Sequence, residues 1–434
     1  MLEIATELAR TRLWSKDLLA QDAAAHHRWL RPVPSFDAGL RTGEPATEQQ
    51  HRLRRLLAHP VARPQLGALA ATIDPHLAAG VEVLDARRSP VLTRFDGNLA
   101  GLPVASPVEV GSSATLLETW VACPHRYLVQ HLLGVRPVDQ PEQALEISAL
   151  DRCNLVHHAL EDFVTEVLGS GDVPAPDQPW TDAHHRRLAE IGAARGDEYA
   201  ADGRTGHDVF WQRDRRQILA ELDQVLVRDD ARRRRHRATP IAAELPFGQE
   251  GVAPAAYPLP DGRVLRLRGR ADRVDRGEDG SLRVVDYKTG STRNYTNLTE
   301  DDPHQHGQHL QLAVYGLAAR QQLGPAAAVT ATYWFTSTKG GWTELGYPIT
   351  DAVLDDVGRA LQAAVAGIER GLFPPRPDPP DTKPWVSCPV CDPDELGTGD
   401  LHRSWLAKAA DPALRSYLEL LGVGEPDALG EPAP

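Results

Sequence analysis

The segment from Leu267 to Gly290 constrains the fold most, because it predicts one β-hairpin with opposed charges. A cluster of turn-forming residues at 277–281, GEDGS, separates two strand-like runs. If the turn is centred on Asp279, then Asp272 and Asp286 each lie seven residues from it and face each other across the strands. Opposed carboxylates repel each other unless a cation lies between them. The hairpin therefore predicts a divalent-metal site.

Strand alternation adds a third charge to the same face of the hairpin. Asp286 and Lys288 point to one side of their strand, and Val285 and Tyr287 point to the other side. One face is thus expected to carry Asp272, Asp286 and Lys288, a set that suits metal-dependent cleavage of phosphodiester bonds. The alternative is a solvated face whose charges only keep an edge strand soluble.

The segment around His157 predicts an amphipathic helix. Its apolar stripe consists of Leu155, Val156, Leu160 and Phe163. His157 and Glu161 share another face of the helix at i, i+4. A histidine on such a helix is more often a buried, hydrogen-bonded core residue than a metal ligand, so the helix alone leaves both interpretations open.

Together, four ordered segments resemble the motifs of the PD-(D/E)xK nucleases, in particular the branch at the C-terminal end of the RecB and AddB helicase-nuclease subunits. Residues 152–161, RCNLVHHALE, resemble the G-x-x-x-H-x-x-L-E helix of that branch. Residues 269–272, GRAD, and 284–290, VVDYKTG, resemble motifs II and III, and 311–315, QLAVY, resembles the Q-x-x-x-Y helix. The resemblance covers about residues 112–405. It implies an α/β, restriction-endonuclease-like core with a mixed central sheet flanked by helices.

The resemblance also implies a role for each matched residue. The expected ligands of Mg²⁺ or Mn²⁺ are His157, Asp272, Asp286 and the carbonyl oxygen of Tyr287. During in-line hydrolysis, Lys288 is expected to orient the attacking water or to offset charge on the phosphate. Gln311 and Tyr315 are expected to border the site. Cys153 stands where the family has glycine, and we expect it to be a small packing residue.

The function implied is that of a metal-dependent deoxyribonuclease, an exonuclease on DNA ends or single strands in DNA repair or recombination. The sequence contains no G-x-x-x-x-G-K-[ST] motif, so we predict no ATPase motor and expect a separate helicase subunit as partner. One alternative is a non-catalytic DNA-binding or scaffold subunit of a helicase-nuclease complex, and the intact charged face argues against it. Another alternative is a Cas4-like nuclease.

The charge distribution bears on DNA contact. A formal net charge of −13 argues against a broadly basic surface for nucleic acid. Arg266, Arg268 and Arg270 nevertheless alternate with leucines on the strand that leads to Asp272, and we expect their common face to follow a phosphate backbone. The arginine-rich run at 232–237 is expected to be a solvated helix end.

A chain of 434 residues with 41% hydrophobic residues can support two or three domains. Residues 1–110 are predicted to be mainly helical. Within them, residues 86–102 resemble the segment that precedes the nuclease domain in actinobacterial helicase-nuclease chains, so we interpret the N-terminal region as a remnant of a helicase-like scaffold. Residues 111–410 are the predicted nuclease domain, which opens with a helix capped by Thr115 and Glu118. Residues 411–434 are predicted to form a C-terminal helix and a disordered tail.

Three of the four cysteines predict a second metal site. Cys123, Cys388 and Cys391 match three of the four positions that hold an iron–sulfur cluster in the AddB-like branch, where the cluster joins the two ends of the domain. The fourth position holds Gly397, and His402 could instead complete a Cys₃His zinc site. A [4Fe–4S] cluster, a zinc ion and free thiols all remain open.

The sequence predicts a protein that lies in the reducing cytoplasm and does not span a membrane. Charged residues interrupt the N-terminal stretch, so it does not resemble a signal peptide. No span approaches the ~20 apolar residues that a membrane helix needs. In such a compartment a C-x-x-C pair binds a metal or is redox-active more often than it forms a structural disulfide.

Overall fold

The computed structural model describes residues 36–58, 65–73, 75–136, 144–377, 388–391 and 399–423. The chain divides into two compact units, residues 1–87 and 88–434. The first unit is helical where it is described, as predicted. Its helices are α1 (Phe36–Thr42), α2 (Glu48–Leu57), α3 (Leu66–Ile73) and nearly all of α4 (Pro75–Arg88).

The second unit combines helices with seven strands among its described residues. The helices are α5 (Pro107–Val110), α6 (Ala114–Ala122), α7 (Pro124–Tyr127), α8 (Ala149–Ser170), α9 (Asp182–Ala201), α10 (Asp208–His236), α11 (Gln311–Leu323), α12 (Asp351–Glu369), α13 (Gly399–Lys408) and α14 (Arg415–Leu420). The strands are β1 (Ala238–Phe247), β2 (Ala255–Pro258), β3 (Val264–Leu267), β4 (Gly269–Gly277), β5 (Leu282–Lys288), β6 (Val329–Phe335) and β7 (Glu344–Pro348). None of the described helices is both long enough and apolar enough to span a bilayer.

Five strands form the central sheet in the order β1-β4-β5-β6-β7, and β2 pairs with β3 separately. The β5–β6 pair is parallel, while the other neighbours in the five-stranded sheet are antiparallel. One sheet face packs with α11 and α12, and the other packs with α8, α9 and α10. This mixed sheet between helices confirms the predicted fold class. The predicted C-terminal helix corresponds to α14, and the predicted tail at 424–434 lies outside the described residues.

The β4–β5 hairpin has the register that its turn predicts. Arg276 pairs with Leu282 and Arg273 pairs with Val285, so continuing the ladder by one residue brings Asp272 opposite Asp286. The turn at 277–281 is closed by hydrogen bonds within itself, including one of 2.8 Å from the Gly277 amide to the Ser281 carbonyl. The hairpin is therefore centred on Asp279, as expected.

The arginine-rich run at 232–237 differs from its prediction, because its first two members are buried. Arg232 forms an ion pair with Asp275, a buried residue of β4, and Arg233 donates to Asp230 at 2.8 Å. Buried cations need such partners, since an unpaired charge in the interior is costly. The beginning of the run therefore joins α10 to the sheet and offers no free cation for DNA.

The start of α6 also differs from its prediction. Ser113 is the N-cap, and its hydroxyl accepts a hydrogen bond of 3.2 Å from the Leu116 amide. Thr115 lies inside the first turn, so the predicted capping box of Thr115 and Glu118 is wrong. Glu118 is thereby free to contact a different helix.

Main-chain pairing joins residues 97–99, near the start of the second unit, to residues 371–373, which follow α12. The Leu99 amide donates to the Gly371 carbonyl and the Phe373 amide donates to the Gly97 carbonyl, both at 2.8 Å. Gly97 has a φ of +83°, and a Cβ there would collide with the Phe373 carbonyl. Glycine is required here by both its backbone conformation and the close approach.

Candidate active site

The C-terminal end of β5 brings together three of the predicted site residues. Asp286 is buried and forms an ion pair with the Lys288 ammonium. Lys288 also donates to the Gln311 side-chain oxygen at 3.1 Å. Burial lowers the pKa of Lys288, but the charge of Asp286, its hydrogen bond with the lysine and the nearby Tyr295 and Asp272 together raise that pKa above its ordinary value. The half-buried lysine, whose side chain is 21% exposed, therefore stays cationic.

Helix α8 supplies the predicted histidine, and its predicted apolar stripe is buried. His157 Nε2 donates to the Tyr287 carbonyl oxygen at 3.0 Å, and Nδ1 lies 3.4 Å from Asp272 Oδ2. The same Asp272 oxygen accepts a hydrogen bond of 2.7 Å from the Tyr287 amide. The structure thus places the imidazole against both a hairpin carboxylate and a main-chain carbonyl.

These donors fit a hard divalent cation. Adjacent ligands of octahedral Mg²⁺ lie about 3 Å apart, because each bond is about 2.1 Å long. The separation of 3.0 Å between His157 Nε2 and the Tyr287 oxygen matches this spacing once the imidazole has lost the proton that it donates to the carbonyl. Asp286 Oδ2 is inaccessible to solvent and, although it pairs with Lys288, accepts no well-directed hydrogen bond within the described structure. A buried carboxylate oxygen with unused acceptor capacity is a suitable metal ligand.

The electrostatics indicate that protons compete with a cation at this site. Burial and the charge of Asp286 raise the pKa of Asp272 to about 7. Burial lowers the pKa of His157, but Asp272, Cys153 and Asp286 raise it to about 9. The imidazole is therefore protonated near neutral pH when no cation is bound.

We predict that Mg²⁺ binds more tightly as the pH rises from 7 to 9. His157 must lose its proton to act as a ligand, so affinity should increase about tenfold per pH unit until the pKa is reached. Mg²⁺ titrations monitored by calorimetry at pH 7, 8 and 9 measure this slope. His157→Gln should reduce this slope to the smaller contribution of Asp272, and a wild-type affinity that stays constant over this range would contradict the assignment of His157 as a ligand.

Helix α11 begins at Gln311 and brings Tyr315 to the site one turn later. The Tyr315 ring meets the Phe247 ring edge-on, with centroids 5.7 Å apart. Burial, followed by the charges of Asp286 and Asp272, raises the pKa of Tyr315 well above its ordinary value. Tyr315 therefore stays neutral beside the carboxylates, and the structure brings both predicted residues to the border of the site.

Sequence reasoning missed Glu244. It lies on β1, between residues that pair on either side of Asp272, and it adopts a left-handed φ of 45°. Burial and the charge of Glu161 raise the pKa of Glu244, while His157 lowers it. Strained non-glycine residues cluster at functional sites. An acidic residue inside the apolar strand segment was the signal that could have identified it.

Cys153, which we predicted to be a small packing residue, precedes His157 by one helical turn on α8. Burial raises the pKa of its thiol, but the neighbouring His157, Thr289 and Lys288 lower it below its ordinary value. Its spacing of i, i+4 from His157 was the available signal. The thiol therefore belongs to the surroundings of the metal ligands.

The three arginines predicted to share one strand lie on different elements. Strand β3 ends at Leu267 and pairs with β2, whereas β4 starts at Gly269 and pairs with β1. Arg266 and Arg268 are exposed, but Arg270 forms an ion pair with Glu250. The predicted continuous strand is wrong, because the chain changes sheets at Arg268.

The three predicted cysteines come together from distant parts of the sequence. The sulfur atoms of Cys123, Cys388 and Cys391 lie within 4.8 Å of one another, and those of Cys123 and Cys391 are 3.5 Å apart. Hydrogen bonds with Cys123 and Cys391 lower the pKa of Cys388, which favours a thiolate. Among the described residues, His402 is not part of this group.

A mixed sheet that presents two carboxylates and a lysine from one hairpin, beside a helix-borne histidine, defines a restriction-endonuclease-like nuclease core. The model of the PD-(D/E)XK nuclease superfamily matches residues 112–395, and the chain belongs to this superfamily.

Curated relatives are named as the B-type component of an ATP-dependent helicase/deoxyribonuclease. The protein of Symbiobacterium thermophilum is 32% identical over 222 residues, which are 48% of this chain and 17% of the relative. A Bacillus cereus protein is 26% identical over 272 residues, covering 59% of this chain and 21% of the relative. The Desulforudis audaxviator protein is 29% identical over 226 residues, covering 49% and 18%. The chain thus spans about a fifth of the length of these relatives.

Proposed function

We propose that this protein is a Mg²⁺- or Mn²⁺-dependent deoxyribonuclease that hydrolyses phosphodiester bonds at DNA ends or in single strands. The observation that carries the proposal is the ion pair of Lys288 with Asp286, which faces Asp272 on the adjoining strand. A scaffold that only binds DNA gains nothing from keeping two like charges and a half-buried lysine together, because charged groups are costly to remove from water.

The reaction follows from what each side chain can do. A water oxygen attacks phosphorus and gives up a proton to solvent, while the P–O bond on the opposite side breaks and the departing DNA oxygen takes a proton from solvent and leaves as a hydroxyl group. Lys288 stays charged and is held by Asp286 and Gln311, so it can orient the water or offset the negative charge that develops on the phosphate. Asp272, Asp286, His157 and the Tyr287 carbonyl would hold the metal ion. When bound, the ion supplies Lewis-acid activation of water and charge neutralisation.

We also propose that the nuclease works beside a separate helicase subunit in DNA repair or recombination. The relatives are named as helicase/deoxyribonuclease subunits, and this chain matches about a fifth of their length. The sequence has no P-loop motif of its own. The exposed Arg266 and Arg268 are the proposed contacts to the DNA backbone, with Arg270 requiring release from Glu250 to join them.

Digestion of end-labelled DNA tests the proposed function. Linear single-stranded, linear double-stranded and covalently closed circular DNA are incubated with the full chain and Mg²⁺ or Mn²⁺, with EDTA as the blank. Loss of linear but not circular DNA supports an end-dependent nuclease. Loss of both supports an endonuclease, and absence of metal-dependent cleavage overturns the proposal in favour of a scaffold role.

For the cysteine site, we propose a metal centre held by Cys123, Cys388 and Cys391. The chain contains one more cysteine, Cys153, which lies one helical turn before His157 on α8. A fourth ligand must therefore be something other than a cysteine of this chain. A [4Fe–4S] cluster with one non-cysteine ligand and a zinc ion both suit three thiolates. Such thiolates must stay reduced, which favours the cytoplasm.

We predict that Cys388→Ser lowers bound iron or zinc to background. Serine lacks the thiolate and leaves two of the three soft ligands, which are too few to retain the metal. Protein is purified without oxygen and analysed for both elements by mass spectrometry. Cys153→Ser is the matched control and should keep the full metal content. Wild-type protein without iron and zinc would contradict the metal centre.

A further inference from the structure

Glu118 reaches across from α6 to the first turn of α11. One carboxylate oxygen accepts hydrogen bonds from the Leu310 amide at 2.6 Å and the Gln311 amide at 3.2 Å. Leu310 is the N-cap residue of α11, and no side chain of its own helix caps it. The first amides of a helix need an acceptor, and negative charge is favourable at that end. Glu118 therefore supplies the missing cap from another helix.

Helix α6 also fixes the side chain of Gln311. Its amide nitrogen donates to the Thr115 hydroxyl at 3.2 Å, and its oxygen accepts from the Lys288 ammonium at 3.1 Å. Thr115 and Glu118 lie three residues apart, on one face of α6. Helix α6 thus holds both the main chain and the side chain of Gln311. The side-chain oxygen of Gln311 is thereby directed at Lys288.

We propose that Glu118 is a positioning residue of the nuclease, which holds Gln311 and through it keeps Lys288 in place beside Asp286. The inference rests on the proposed function and names a residue outside its metal-binding and reacting groups. Glu118 contacts the start of α11, the helix that carries Gln311. Gln311 is the second partner of Lys288, after Asp286. Its effect on the rate is therefore exerted through Gln311.

The surroundings of Glu118 indicate which substitution preserves this role. Burial raises the pKa of Glu118 to about 7, while the hydrogen bond from Leu310 and the charge of Lys288 lower it. Both protonation states keep an oxygen that accepts from the two amides. Glutamine also keeps such an oxygen at the same chain length, whereas alanine removes it.

The test compares Glu118→Ala, Glu118→Gln, Gln311→Ala and the double variant Glu118→Ala/Gln311→Ala in the full chain on linear DNA with saturating Mg²⁺. We expect Glu118→Ala to lower kcat about 10- to 100-fold without changing KM for DNA. Glu118→Gln should restore most of the rate. In the double variant, loss of Glu118 should add nothing to the loss from Gln311→Ala, because the two residues act in series.

Asp411→Ala is the matched control. Its carboxylate also accepts from two main-chain amides, those of Leu92 at 2.6 Å and Ala413 at 2.8 Å, but these belong to no site residue. It should lower Tm and leave kcat unchanged. If Glu118→Ala does not fold, Glu118→Asp, whose shorter side chain withdraws the acceptor, takes its place.

Two outcomes overturn the inference: a wild-type kcat in Glu118→Ala, or losses that multiply in the double variant. If either result is found while Asp286→Asn still abolishes cleavage, only the role of Glu118 is overturned and the proposed function stands. Wild-type protein that cleaves no DNA instead overturns the proposed function.

Discussion

Asp286→Asn is expected to lower the cleavage rate about 10³-fold or more, because a metal ion supplies several kcal/mol of transition-state stabilisation. The substitution preserves size and removes the buried negative charge that pairs with Lys288 and faces Asp272. Mg²⁺ affinity should fall together with the rate. Single-turnover cleavage of end-labelled DNA and Mg²⁺ calorimetry measure the two effects.

Asp279→Asn is the control on the same hairpin. Asp279 is exposed in the turn, where its Oδ1 accepts from the Ser281 amide at 3.0 Å, and asparagine can accept the same bond. Its rate and Mg²⁺ affinity should equal those of the wild type. A rate for Asp286→Asn within experimental error of that control would show that this hairpin is not the catalytic centre.

Lys288→Met is expected to lower kcat about 10²- to 10³-fold, the loss typical of removing one group that stabilises transition-state charge. Methionine keeps an unbranched side chain over the Tyr333 ring, against which the ammonium now lies 4.8 Å from the centroid. Mg²⁺ affinity should hold or increase, because Asp286 loses the cation that competes with the metal. Paired measurements of kcat and Mg²⁺ affinity therefore separate Lys288 from Asp286.

Lys339→Met provides the comparison for this experiment. Lys339 is exposed on the loop after β6, so its loss should leave kcat unchanged. The role of Lys288 is refuted if its variant keeps the wild-type kcat and loses only Mg²⁺ affinity, since the lysine would then serve the metal site alone.

The hairpin was predictable because its register depends on a local turn. Five consecutive residues specify that turn, and alternation then assigns Asp286 and Lys288 to one face. His157 was predictable as a member of an amphipathic helix, but its contact with the Tyr287 carbonyl depends on packing between distant segments. Sequence patterns give the direction of a side chain and leave its distant partner undetermined.

Glu118 shows why the remainder could not be predicted. Its spacing from Thr115 matches a capping box, so a local rule assigns it to its own helix. The Leu310 amide that it caps is 192 residues away in the sequence, and only tertiary packing brings the two groups together. Glu244 is similar, because an acidic residue in a strand gains meaning only when the neighbouring strand is known. The alternating arginines at 266, 268 and 270 likewise gave no sign that the chain changes from one sheet to the other at Arg268.

The main-chain pairing of residues 97–99 with 371–373 has a consequence for how this domain can change over evolutionary time. Backbone hydrogen bonds join these two segments without using the thiols of Cys123, Cys388 and Cys391. We therefore expect a mutation that removes one thiol ligand to leave these backbone bonds in place. The family resemblance implies a fourth cysteine at position 397, and the glycine there is the kind of change that we expect such an architecture to tolerate.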